Sequence, residues 1–253
     1  AGSANAINMY VDRDIDALME RTRNRPLVTG ELTPRAALTF ALGLEVAAFA
    51  LLWTTVNLLS AVLAVSACLF YVFVYTLWLK RTSKQNIVIG GAAGAVPTLI
   101  GWTAVTGSLA WAPVVLFAVI FFWTPPHFWA LAIRYADDYR AADVPMLPAV
   151  VPLRVAARQI VGYTAALVVT TLALIPVAEL GWLYTAAAVA LGAMFLGGTI
   201  ALVKQLAVGR TVVFVSNRSG RLNLWRIDAD GNGLAQLTDG PGPDYRPCVS
   251  PDG

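Results

Sequence analysis

The stretch SAVLAVSACLFYVFVYTLWL (residues 60–79) decides the fold. It contains no Asp, Glu, Lys, Arg or His. Its length is what an α-helix needs to cross roughly 30 Å of hydrocarbon. Lipid offers no partner to an open strand edge, so a single apolar run of this kind spans as a helix. Five similar runs surround it, at about 36–57, 87–106, 111–133, 157–177 and 181–203. The run 87–106 is also free of charge, 111–133 holds a histidine, His127, and 36–57 holds Glu45, the one acid well inside a span. The composition agrees: 58% of the residues are hydrophobic and 13% charged, against a charged share of about 25% in soluble domains. A water-soluble globular fold is excluded. The reading is an all-alpha polytopic membrane protein.

The connections alternate in charge. Arg21, Arg23, Arg25 and Arg35 precede the first run; Lys80, Arg81 and Lys84 lie between the second and third; Arg134, Arg140, Arg154 and Arg158 lie between the fourth and fifth; Lys204 and Arg210 follow the sixth. The intervening connections TVNLLS, TGSLAW and VAELGW carry one Glu and no Lys or Arg. The positive-inside rule places all four basic connections in the cytoplasm. The net charge of +3 and pI of about 9 therefore reflect topology, and no nucleic-acid partner is expected. Cys68 and Cys248 form no ligand pattern, and neither a disulfide nor a zinc site is expected.

Charge concentrates in INMYVDRDIDALMERTRNRPL (residues 7–27). Asn8, Asp12 and Asp16 fall at i, i+4 and i+8, nearly on one helix face over about 12 Å. Stacked carboxylates repel unless a cation lies between them, and oxygen ligands in an open array suit magnesium bridged to phosphate. Arg21 and Arg25 follow, and guanidinium groups bind phosphate oxygens bidentately. The plainer alternative is a salt-bridged helix end at the membrane surface. A second polar cluster, WTPPHFWALAIRYADDYRAADVPMLP (residues 123–148), contains His127, Arg134, Asp137, Asp138 and Asp143. The topology puts it on the same side as the first, as the opposing half of one metal-diphosphate site. Lys84 and Asn86 share that side. Pro125 and Pro126 are expected to break the helix beside His127. Trp129, Tyr135 and Tyr139 read as cavity wall or interfacial belt, and Gly90 with Gly94 as a close helix-packing face.

These residues carry a resemblance. Asn8, Asp12, Ile15, Asp16, Met19, Arg21, Thr22, Arg25 and Gly30 stand in the spacing of the heme-directed branch of the UbiA-type intramembrane prenyltransferases, the protoheme IX farnesyltransferases. LKRTSKQNIVIGGAAGAVPTLIGW (residues 79–102) and PPHFWALAIRYADDYRAADVPMLP (residues 125–148) look like that family's connecting regions. The likeness covers about residues 1–205. It implies a nine-helix bundle around a cavity, and transfer of farnesyl from farnesyl diphosphate to a vinyl group of heme b, giving heme O. It implies Mg2+ as cofactor and heme b as substrate, not as a fixed group. By motif match, Asn8, Asp12 and Asp16 form the first magnesium-diphosphate site, and Asp138 with Asp137 the second. Arg21, Arg25, Lys84 and Arg134 are diphosphate contacts by charge and topology. His127 has two open readings: orienting or ligating heme iron or carrying a proton, or satisfying the helix structurally. The implied setting is the bacterial inner membrane, with the site loops cytoplasmic. The implied partners are the bilayer and the heme A synthase or terminal oxidases that use the product. A related quinone- or chlorophyll-precursor prenyltransferase and a membrane transporter are the competing readings, and PPHF favours the heme branch.

After Arg210 the character changes. TVVFVS (211–216), LNLWRID (222–228) and LAQLT (234–238) read as short strands around the turns NRSG and DADGNG. With Leu224, Trp225, Asp228, Asp230, Gly231, Leu237, Thr238, Pro247, Ser250, Pro251, Asp252 and Gly253, the segment resembles one repeat of TolB-like β-propellers. The expected organisation is a transmembrane prenyltransferase domain at 1–205, with the first helix missing and the second partial, a junction at 206–210, and a propeller-blade-like fragment at 211–253. On that reading the chain is a truncated or fused form, whose activity is in question.

Overall fold

The computed structural model describes residues 1–207, 212–216, 223–227 and 234–238. The chain enters through two short helices, Gly2–Val11 (α1) and Arg13–Leu18 (α2), joined at Asp12, and a single turn, Pro26–Thr29 (α3), closed by Gly30 at φ 82°. Thr33 and Pro34 then start Pro34–Thr55 (α4): the Thr33 hydroxyl accepts from the Ala36 amide at 3.3 Å, and proline at the first helical position wastes no donor. Asn57 starts Leu58–Leu69 (α5) by accepting from the Ser60 amide at 2.8 Å. Its own amide donates to the Thr103 carbonyl at 2.7 Å, tying the beginning of one span to the end of another. The helix continues as a π-helical segment, Phe70–Leu79, and a last turn, Lys80–Thr82 (α6).

Asn86–Thr106 (α7), Trp111–Arg134 (α8), Leu153–Val177 (α11) and Trp182–Ala207 (α12) complete the spans; Ala136–Ala141 (α9) and Leu147–Val150 (α10) lie in the long connection between α8 and α11. Among the described residues, six helical stretches are long and apolar enough to cross a bilayer, so the protein is multi-pass. They match the six runs read from hydropathy. The fifth begins earlier, at Leu153 rather than near 157, because Arg154 and Arg158 sit on its first turns. Long basic side chains at a helix end reach water without ending the helix. Each span packs on the next in order, α4 on α5, α5 on α7, α7 on α8, α8 on α11 and α11 on α12, while α1 lies against α4 and the π-helical segment. Outward faces carry exposed Phe40, Trp53, Phe73 and Trp182, as a lipid-facing surface requires.

Three expectations need correction. Pro125 and Pro126 do not break α8, which runs unbroken from Trp111 to Arg134 with both prolines buried inside it. The rest of the backbone has no polar partner in lipid except its own helix, so the local loss at two prolines is tolerated. The packing glycines are Gly90 and Gly91, not the pair Gly90 and Gly94: a Cβ on Gly90 would lie 2.3 Å from the Tyr75 ring and one on Gly91 2.9 Å from Thr124, whereas Gly94 faces nothing within 4 Å. Gly90→Ala is therefore expected to lower stability by about 1–3 kcal/mol through overpacking, and Gly94→Ala to change it little. Thermal unfolding of the two variants in detergent checks the contrast.

The third correction concerns the propeller-like segment. The described strands, Val212–Ser216 (β1), Asn223–Ile227 (β2) and Ala235–Gln236 (β3), form an antiparallel sheet in the order β1-β2-β3 that remains open, with no ring closure. Ile227 packs against Leu153 and Ala157 of α11 beside Leu202 and Val203 of α12. The sheet thus leans on the helical bundle rather than on sister repeats, and the resemblance to a propeller repeat does not hold. Arg210, Cys248, the turns NRSG and DADGNG and the final SPDG lie outside the described residues.

Candidate functional site

The site begins at the joint between α1 and α2. Asp12 has φ −90° and ψ 7°, yet the i to i+4 ladder passes through it: its amide donates to Asn8 at 2.8 Å, and the Asp16 amide donates to the Asp12 carbonyl at 2.8 Å. Asn8, Asp12 and Asp16 therefore share a face, as their spacing predicts, and all three are buried.

Burial of a carboxylate is costly unless it is paired, and each acid is paired from a different element. Asn8 Nδ2 donates to Asp12 Oδ2 at 2.5 Å and to Thr76 Oγ1 of the π-helical segment at 3.2 Å. Lys80 Nζ bonds the same Asp12 oxygen. Asp12 Oδ1 is buried with no hydrogen-bond partner, and Arg81 Nη2 stands 3.6 Å from it. Asp16 Oδ2 receives Arg25 Nη1 at 2.6 Å. The Thr22 hydroxyl donates to the Asp16 carbonyl at 3.0 Å and fixes the turn that brings Arg25 back. Asp14, on the opposite face, receives two bonds of 2.7 Å from Arg81.

The second acidic cluster lies against the first. Ile15 and Met19 of α2 form one buried cluster with Ala142 and Val144, packed by Tyr139 of α9. Burial raises the Tyr139 hydroxyl above its ordinary value, and the charge of the nearby Arg21 guanidinium opposes that rise. Arg21 thus reaches from the first cluster to the second. Asp138 is half-buried on α9. Asp137 is exposed and held by Arg140 at 2.6 Å. Asp143 adopts φ 52° in the following turn. Arg134 ends α8 half-buried, its guanidinium 5.5 Å from the centre of the Tyr135 ring. Lys84 is exposed.

His127 is not buried in the protein, as its place in an apolar span suggests, but exposed on the surface of α8. It stacks on Trp123 at 4.2 Å between ring centres and meets Phe128 edge-on at 5.5 Å. Trp123 also lines an apolar cavity of about 820 Å³ between α8, α11 and α12.

Sequence reasoning missed Lys80, Arg81 and Thr76. It assigned the first two to topology and preferred Lys84. A signal was present: Thr76 and Lys80 stand at i, i+4 on the most apolar span, the same spacing as Asn8 and Asp12 on the helix they meet.

The donor set accommodates a divalent cation with help. Among the described residues, no three His, Cys, Asp or Glu side chains converge as a ready cage. A buried carboxylate oxygen without a hydrogen bond, beside a second carboxylate one turn on, fits an ion whose remaining ligands come from a phosphorylated molecule.

Asp14 supplies a pH marker. Hydrogen bonds from Arg81 hold its carboxyl at about 2, below the ordinary 3.8. A depressed carboxyl contributes stability above its ordinary value and loses it as pH falls toward the folded value. The Asp14 to Arg81 tie is thus expected to persist at pH 4 and fail between about pH 4 and pH 2. Because the pair is exposed, its contribution stays below about 1 kcal/mol. Acid titration of wild type and Asp14→Asn, followed by thermal unfolding, should show the difference vanish across that window.

Residues 1–217 match the UbiA prenyltransferase family. The match runs past residue 210, across the boundary drawn for a propeller fragment. The chain is 58% identical over 196 residues to the protoheme IX farnesyltransferase of Frankia alni, covering 78% of this chain and 68% of that protein. It is 56% identical over 204 residues to the protein of the same name from Gloeobacter violaceus, covering 81% and 67%. In structure it is similar to an apo UbiA homolog from Aeropyrum pernix K1, with a TM-score of 0.61 and 24% identity over 83% of this chain and 76% of that one. It is also similar to a UbiA homolog from Archaeoglobus fulgidus bound to DMAPP and Mg2+, with a TM-score of 0.57 and 15% identity over 82% and 71%.

Proposed function

This chain belongs to the UbiA prenyltransferase family, and from that premise we propose that it transfers farnesyl from farnesyl diphosphate to a vinyl group of heme b, giving heme O, with Mg2+ as cofactor. The observation that carries the reading is the buried, paired Asn8, Asp12 and Asp16 set, packed through Ile15 and Met19 against the segment that bears Asp138. Identity of 58% to a protein named for this reaction supports it.

The chemistry asks the protein to stabilise a leaving diphosphate. The bond between farnesyl C1 and oxygen breaks, and its electron pair leaves with the diphosphate. C1 joins the terminal vinyl carbon of the porphyrin side chain, and the cation left on the inner carbon takes water and loses a proton. Magnesium, when bound, supplies charge neutralisation on the diphosphate. Asp12 and Asp16 on one rim, and Asp138 with Asp137 on the other, would hold it. Arg21, Arg25, Lys80 and Arg81 present preorganised positive charge on the same end of the bundle, the kind of contribution that dominates such steps. Tyr71 and Tyr75, whose rings lie 5.1 Å apart on the π-helical segment that carries Thr76, and the surrounding spans limit water near the allylic cation. Lys84 and Arg134 are outer diphosphate contacts in this reading, and His127, stacked on Trp123, is the candidate heme contact. The site opens to the cytoplasmic side of a bacterial inner membrane, by the basic connections. The product passes to heme A synthase or a terminal oxidase.

Membranes carrying the chain are incubated with MgCl2, heme b and farnesyl diphosphate, and porphyrins are read by mass spectrometry. The expected product is heme O, absent with EDTA. Prenylation of an aromatic quinone precursor with heme b untouched would overturn the acceptor. Cation flux into liposomes that depends on Asp12, without any prenyl product, would overturn the reaction class.

A further inference from the structure

Three carboxylates, Asp12, Asp14 and Asp16, are matched in the cluster by three cations, Lys80, Arg81 and Arg25. The acid side of the site is thus already neutral without metal. Each of the two buried acids carries a cation on one oxygen, Lys80 on Asp12 Oδ2 and Arg25 on Asp16 Oδ2, and the Asp12 Oδ1 left without a hydrogen bond has Arg81 at 3.6 Å. Asp12 is 0% exposed and Asp16 3%, so neither pair is loosened by surrounding water. Lys80 and Arg25 are more open than their partners, with side-chain exposures of 15% and 25%.

We propose that Lys80 and Arg25 are exchangeable counter-ions that keep the acid cluster closed to metal until a diphosphate takes them over. The inference rests on the prenyltransferase reading and adds an order to it. A divalent cation arriving alone enters a cluster whose acids are already matched and leaves it with excess positive charge, and a diphosphate arriving alone meets the carboxylates at close range. Both are unfavourable where solvent screening is poor. Arriving together, the diphosphate accepts Lys80 and Arg25 and the metal accepts the freed carboxylate oxygens, with charge nearly balanced throughout. Metal and diphosphate therefore bind as a cooperative pair, and linkage makes the coupling equal in both directions.

The test uses the full chain in detergent, Mn2+ in place of Mg2+ for its electron paramagnetic signal, and farnesyl thiodiphosphate as an inert substrate analogue. In wild type, Mn2+ alone is expected to bind weakly and to tighten by about tenfold or more with the analogue, within the usual range of coupling. Lys80→Met has effects of opposite sign: Mn2+ alone binds about fivefold tighter or better, while the analogue binds more weakly. Arg25→Met tests the Asp16 arm independently and keeps the question open to measurement if one variant does not fold. Additive binding in wild type overturns the proposal, as does an unchanged or weaker affinity for Mn2+ alone in a folded variant. Failure of the analogue to bind at any Mn2+ concentration overturns the prenyltransferase reading instead, so the two failures are distinct.

Discussion

Asp12→Asn is expected to lower farnesyl transfer by about 10³-fold, the scale at which removing a preorganised charge from a site of this kind is felt. The substitution keeps the shape of the side chain and removes its charge. Asp12 is fully buried and receives Asn8, Lys80 and, at longer range, Arg81. Its neutral replacement leaves Lys80 facing an amide, and breaking a buried pair from one side costs about 3–5 kcal/mol. Two effects are therefore superimposed, and a second substitution separates them. Asp12→Asn with Lys80→Met removes the stranded cation, so thermal stability should return most of the way while transfer stays at the floor. Heme O formation by mass spectrometry and unfolding in detergent provide the two readouts. Transfer within threefold of wild type in Asp12→Asn would sink the assignment of this carboxylate to the chemistry.

The contrast between Asp12 and its partners shows what was legible in the sequence. The spans announce themselves because lipid removes every alternative to a long apolar helix, and Arg21, Arg25, Asp12 and Asp16 stand out as charge where charge is expensive. Spacing along one helix is readable because 3.6 residues per turn fixes it. Contacts between helices are not. Lys80 meets Asp12 and Arg81 meets Asp14 across 68 and 67 residues, a relation set by how the π-helical segment packs on α1. In the sequence these two residues look like any basic loop, and exposed Lys84 looks equally suitable. The failure at residues 211–253 has a similar cause. Turn residues and alternating apolar positions describe strands well, but they do not say what a strand packs against. Ile227 found α11 and α12 rather than another repeat. His127 is exposed rather than buried for a third reason: an apolar span says that its surroundings are apolar, not whether they are protein or lipid.

The facing of the two acidic rims depends on a small apolar seam, and Met19→Asp should open it. Met19 is 3% exposed and packs with Ile15 against Ala142 and Val144, under Tyr139. The Met19 carbonyl also accepts from the Thr22 and Arg23 amides, at 3.1 and 3.0 Å, at the start of the turn that returns Arg25 to Asp16. A carboxylate at that position cannot stay buried without a partner, a penalty of several kcal/mol. The cheapest response is for α2 to swing from the α9 segment, carrying Asp16 and Arg21 from Asp138 and Tyr139. Reacting groups misplaced by about 1 Å cost on the order of 10² in rate, so transfer should fall by at least about that factor and the KM for farnesyl diphosphate should rise. Met19→Leu conserves volume and should cost less than about 1.5 kcal/mol with transfer close to wild type, which separates loss of the seam from loss of methionine. If Met19→Asp keeps both wild-type stability and wild-type transfer, the rims do not act as one site, and Asp138 must be working, if at all, without the first cluster beside it.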